Sequence, residues 1–118
     1  MSVSPSFRSF VLEQLARTTP AIRARNMFGG VGIYAADLFF ALLADDTLYF
    51  KVDDDTRGEF VARGMGPFRP YGDGGEVMQY YEVPEDVLED PEVLGKWVHA
   101  AITVAHNAKR GRVRRRRP

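Results

Sequence analysis

Residues 27–52 read Met-Phe-Gly-Gly-Val-Gly-Ile-Tyr-Ala-Ala-Asp-Leu-Phe-Phe-Ala-Leu-Leu-Ala-Asp-Asp-Thr-Leu-Tyr-Phe-Lys-Val, and this stretch decides the fold. Gly29-Gly30 is a turn pair. Val31 to Ala35 is apolar until Ala36-Asp37 breaks it. Leu38 to Ala44 is a run of seven apolar residues, ended by Asp45-Asp46. Thr47 to Val52 then alternates: Leu48, Phe50 and Val52 on one face, Thr47, Tyr49 and Lys51 on the other. Short runs bounded by Gly and Asp are the signature of an antiparallel meander. The strand Leu38 to Ala44 offers no polar face, which predicts an interior strand, or one with its second face covered too. A helix covers one side; a second subunit or another helix covers the other.

The flanks supply that cover. Ser4-Pro5-Ser6 predicts a helix start, a hydroxyl cap with Pro at an early position. Phe7, Phe10, Val11 and Leu15 at helical spacing carry the helix to about Arg17, and Thr18-Thr19-Pro20 ends it. Residues 21–26 fit a helical turn or the approach to a strand starting near Arg25. Beyond Val52, Thr56 and Glu59 have capping-box spacing, Asp53-Asp54-Asp55 complement a helix dipole, and Gly64 fits a left-handed helix end. Met65 to Gly75 is a Gly/Pro-rich loop with a short strand near Phe68 to Pro70. Glu76 to Val83 alternates as a strand, and residues 84–90 allow one helical turn. Leu94, Trp97, Val98, Ala101, Ile102 and Ala105 form the stripe of a final helix running to about Ala108. The expectation is an α+β, two-layer fold: an antiparallel sheet of four to five strands with helices packed on one face. The domain is placed at residues 1–108, with 109–118 as a disordered basic tail.

Composition narrows the function. The chain has 118 residues, enough for one domain with a real core. It has no cysteine, which excludes disulfides, thiolate metal sites and thiol nucleophiles and fits a cytoplasmic protein. No apolar run is long enough to span a membrane, and no signal-peptide pattern opens the chain. Net charge is zero from 16 basic and 16 acidic residues, but the last ten residues hold seven of the basic ones and no acid. The first 108 residues therefore carry nine basic against 16 acidic side chains, net −7. An acidic body bears a basic tail.

Two groups of segments are more specific than periodicity. The first is Met27-Phe28-Gly29-Gly30-Val31-Gly32-Ile33-Tyr34, Phe40-Ala41-Leu42 and Leu48-Tyr49-Phe50-Lys51-Val52-Asp53. The second is Gly66-Pro67-Phe68, Met78-Gln79-Tyr80-Tyr81-Glu82-Val83-Pro84 and Trp97. In this order they resemble the N-terminal domain of the TfoX/Sxy family over roughly Phe7 to Ala105. The resemblance implies a two-layer α+β fold and a link to regulation of natural competence and transcription in bacteria. Better-known members of that family carry a second, helical C-terminal domain. The residues after the final helix leave no room for one here, so a stand-alone N-terminal domain is expected. The resemblance brings no catalytic residue with it.

The residues themselves suggest no chemistry either. Gly29-Gly30-Val31-Gly32 lacks the Gly-Lys-Ser/Thr of a phosphate loop and leads into a strand, whereas phosphate motifs open a helix. Asp53-Asp54-Asp55 and Asp45-Asp46 lack EF-hand spacing and read as a cap and a turn. His99 and His106 lie two turns apart on one helix, about 10 Å, too far to share a metal ion unaided. The serines lie in the N-terminal cap and first helix, with no base beside them. No catalytic, cofactor-binding or metal site is therefore assigned. The aromatic residues Tyr34, Tyr49, Tyr71, Tyr80, Tyr81, Phe28 and Phe68 fit core packing, or an interface if the outer sheet face is shared between subunits.

The leading expectation is a non-enzymatic, cytoplasmic regulatory or adaptor domain acting through protein–protein contacts. Its protein partner is unidentified, with a homodimer through the outer sheet face as one form. The alternative is a nucleic-acid-associated protein that contacts DNA or RNA weakly through Lys109, Arg110, Arg112, Arg114, Arg115, Arg116 and Arg117. Seven phosphate contacts would give a log-log salt slope of about −6 on duplex DNA. The same cations fit an equally plain role, folding back on the acidic body.

Overall fold

The computed structural model describes residues 3–27, 29–70 and 79–116, with side chains through residue 111. Phe28, Tyr71, the loop residues 72–75, the expected strand residues 76–78 and the basic side chains from 112 onward lie outside that range. The elements are α1 (Pro5–Ala16), β1 (Ile22–Met27), β2 (Gly30–Ala35), β3 (Leu38–Ala44), β4 (Thr47–Lys51), α2 (Arg57–Ala62), β5 (Tyr80–Glu82), α3 (Glu85–Glu89) and α4 (Pro91–Arg116). The described strands form one antiparallel sheet in the order β1-β2-β3-β4-β5. The fold is α+β, as expected, with β3 in the interior.

Turn chemistry sets the register. Asp45 and Asp46 have φ of 50° and 54°, the left-handed pair of a type I′ hairpin that pairs Ala44 with Thr47. Ala36 takes φ 55° at the β2–β3 turn, a costly place for a side chain with a Cβ. Between β2 and β3 the register shifts: Ile33 faces Ala41, Tyr34 faces Phe39, and Phe40 has no partner. This bulge turns Phe40 and Ala41 together toward the core, where both are fully buried. It is why no alternation is legible in residues 38–44.

The core lies between one sheet face and the helices. Val31, Ile33, Leu43, Leu48 and Phe50 meet Val11 and Leu15 of α1, Val87 of α3, and Leu94, Val98 and Ala101 of α4. Buried Gln14 donates from Nε2 to the Leu88 carbonyl at 3.0 Å, so its polarity is matched. Phe60 of α2 packs edge-on to Trp97, ring centroids 4.7 Å apart.

Several boundaries differ from the sequence reading. Strand β1 begins at Ile22 rather than near Arg25, because pairing with β2 fixes it as far as Ile22–Ala35. The cap of α2 forms one turn early. Thr56 makes no side-chain cap bond to the helix. Instead Asp53 Oδ1 accepts from the Asp55 and Thr56 amides at 3.0 and 2.9 Å, and Thr56 Oγ1 accepts from the Asp53 amide at 3.1 Å. A short aspartate side chain reaches these amides from the residue before the turn 54–56 that leads into α2. At the other end Gly64, at φ 78°, lets the Met65 amide reach the Phe60 carbonyl in a Schellman closure. Helix α4 continues to Arg116, past the end near Ala108 that its apolar stripe indicates. Arg and Lys are good helix formers, and cations in a last turn complement the helix dipole. Among the described residues no helix is long and apolar enough to cross a membrane.

Candidate interaction face

The pleat that sends Ile33, Ala41 and Phe50 to the helices sends alternate residues the other way. Tyr34 on β2, Phe39 on β3 and Tyr80 on β5 meet on that outer face. Tyr34 and Phe39 stack with centroids 5.1 Å apart, and Phe39 lies 5.6 Å from Tyr80. Tyr49 of β4 packs on Phe68 at 5.1 Å. Met27 lies over the backbone of Gly32, where an added Cβ would come within 2.5 Å of its methyl carbon. None of these residues belongs to the core cluster that the helices close, although Tyr80 is itself buried.

Basic side chains border the rings. The guanidinium of Arg23 lies 5.6 Å from the Tyr34 ring centre, and the Lys51 ammonium lies 5.0 Å from that of Tyr80. Arg23 also donates from Nε and a terminal nitrogen to the Ala36 carbonyl, at 3.3 and 3.1 Å. Such cation–ring contacts are worth about 0.5–1 kcal/mol at exposed sites. The Tyr49 phenol is pushed above its ordinary value, first by burial and then by the Glu82 carboxylate. Glu82 faces Tyr49 directly across the β4–β5 pair.

Phe68 reaches this face because residues 66–68 add a partial strand beside β5. The Phe68 amide donates to Tyr80 at 2.7 Å, the Glu82 amide donates to Gly66 at 3.0 Å, and Pro67 bridges to Tyr81. The sequence placed this short strand near Phe68 to Pro70.

The glycine cluster belongs to this packing. A Cβ at Gly30 would lie 2.5 Å from the Leu43 carbonyl oxygen. Gly29 supplies the φ of 79° that the β1–β2 turn needs. Three carboxylates of the aspartate runs are engaged in caps, turns and pairs. Asp53 caps α2, Asp54 pairs with Arg57 at 3.0 Å, and Asp46 accepts from the Ser4 amide at 2.6 Å. His99 and His106 are both exposed on α4.

Of the seven basic tail residues, Lys109 and Arg110 are exposed on α4, and Lys109 forms an ion pair with Asp37 in the β2–β3 turn. That contact holds the Asp37 carboxyl below the usual carboxylate range, by hydrogen bond first and charge second. Arg112, Arg114, Arg115 and Arg116 continue the helical backbone, and Arg117 lies outside the described residues.

Sequence reasoning found Tyr34, Tyr49, Tyr80 and Phe68 but missed Phe39, hidden in the apolar run. It also missed Arg23, because residues 21–26 had no settled period. The signal was present: Ile22 and Ala24 pack on the core while exposed Arg23 and Arg25 alternate with them.

A protein-family model described as the TfoX N-terminal domain matches residues 13–105. No curated protein matches the chain.

Proposed function

The chain belongs to the TfoX N-terminal domain family, and on that footing we propose that it is a non-enzymatic regulatory or adaptor domain that works through protein contacts. The contact surface is the outer sheet face, and its first occupant is the same face of a second copy. The observation that carries this is the ring cluster Tyr34–Phe39–Tyr80, built outside the core on the face opposite the helices. Aromatic residues bordered by Arg are the composition of interface centres. Self-pairing of one patch would follow two-fold symmetry. A role in competence or transcription, within the bacterial cytoplasm, is part of the same proposal and rests on the family alone.

Sedimentation equilibrium in high salt tests this reading. The expected species is a dimer of two 13.3 kDa chains that Phe39→Glu converts to a folded monomer. A wild-type chain that stays monomeric at high concentration, with the face variant behaving identically, refutes it.

A further inference from the structure

Charge is unevenly distributed along the length of this molecule. Helix α4, 26 residues and about 39 Å long, starts directly after α3. It ends beyond the β2–β3 turn, where Lys109 meets Asp37. Arg23 and Arg110 lie at that same end, followed in sequence by the remaining basic residues. The opposite end is acidic. There a groove of 390 Å³ runs between α1, the β3–β4 turn and α3. Phe7, Phe10 and Leu48 give it an apolar floor, and Phe10 is 40% exposed. Asp46, Glu82, Glu85 and Glu89 border it, and among the described residues no basic side chain lines it.

We propose that this groove receives the basic C-terminal segment, residues 109–118, of a second copy of the chain, so that copies associate head to tail. Charge complementarity selects the occupant. Four carboxylates border the groove, and residues 109–118 are the one segment of the sequence with seven cations and no acid. Arginine suits it twice over: its planar fork matches a carboxylate, and its stem covers apolar surface such as Phe10. While α4 stays helical as far as Arg116, the segment of the same chain does not reach its own groove. The β2–β3 and β3–β4 turns lie at opposite ends of β3, seven residues or about 23 Å apart. Lys109 is fixed at the first of these turns while the groove opens at the second. The contact is heterologous, one end against the other. It is independent of the ring cluster and answers oppositely to salt: charge pairing weakens as salt rises, while apolar burial does not.

The test is binding of a fluorescent synthetic peptide of residues 109–118 to the full chain, read by anisotropy in about 50 mM and about 500 mM salt. Binding is expected at low salt and its loss at high salt. Glu85→Lys with Glu89→Lys should weaken it about tenfold, because two exposed attractions become repulsions. Asp54→Lys with Asp55→Lys changes net charge equally, away from the groove, and should leave affinity within about twofold. A peptide carrying Arg114→Glu and Arg115→Glu, tested on the unaltered chain, should fail to bind. Phe39→Glu should leave peptide binding intact even where it abolishes the sheet-face dimer. No binding, equal weakening by both lysine pairs, or a tail that retains duplex DNA while its peptide ignores the groove would each overturn the proposal.

Discussion

Replacing Gly30 with alanine tests whether the glycine cluster serves the fold rather than a ligand. A Cβ at this position lies 2.5 Å from the carbonyl oxygen of Leu43, a backbone atom of the neighbouring strand. The oxygen cannot swing away like a side-chain tip, so β2 and β3 must part locally. Overpacking of this kind costs about 1–3 kcal/mol. Alanine also removes freedom from the unfolded chain, which returns about 0.4–1 kcal/mol. The clash wins, leaving a net loss of about 1–2 kcal/mol and a drop in Tm of about 4–8 °C for a domain of this size. Two further variants calibrate the sign. At Gly32 the new Cβ meets the mobile end of Met27, which can give way, so the loss should be smaller. At Gly58, within α2, nothing lies within 4 Å, so alanine should stabilise by up to about 1 kcal/mol. Thermal and urea unfolding of the three variants measure all of this. A Gly30→Ala protein as stable as the parent, or more so, refutes the close-approach argument.

Three more perturbations follow from the geometry. Asp53→Ala removes the two bonds that its Oδ1 accepts ahead of α2 and should cost about 1 kcal/mol in urea unfolding, while Glu59→Gln should change nothing measurable. Ala36→Gly relieves a left-handed residue and should raise stability by about 1 kcal/mol; a fall in the urea midpoint would show that the turn is not strained. Tyr49 should titrate above 10.0 in ultraviolet absorbance, and Glu82→Gln should lower its midpoint without restoring the ordinary value, because burial is the larger cause. A phenol that keeps its proton more tightly when folded supports the fold up to the unfolded value and loses that support as pH rises through the folded one. An unchanged midpoint in the Glu82 variant would remove the charge contribution.

The meander was legible because its turns are written in residues that tolerate left-handed backbone. Asp45-Asp46 and Gly29 mark hairpins without knowledge of the partner strands. The stripe of α4 was legible because 3.6-residue spacing depends only on the helix itself. What escaped depends on contacts distant in sequence. The bulge at Phe40 exists only because β2 and β3 pair out of step, so Phe39 could not be assigned to the outer face from residues 38–44 alone. The cap of α2 moved from Thr56 to Asp53 because both residues fit a cap and only local geometry separates them. The acidic groove draws on three separated stretches, 7–10, 46–48 and 82–89, and no single window contains it.

The central claim is that the helix-free sheet face is a contact surface. Hydroxyl-radical footprinting of the full chain in high salt, at low and high protein concentration, tests it most directly. The account predicts that Met27, Tyr34, Phe39 and Tyr49 lose reactivity as concentration rises, while exposed Phe10 and partly exposed Trp97 do not change. Equal reactivity of the sheet-face residues at both concentrations would contradict it.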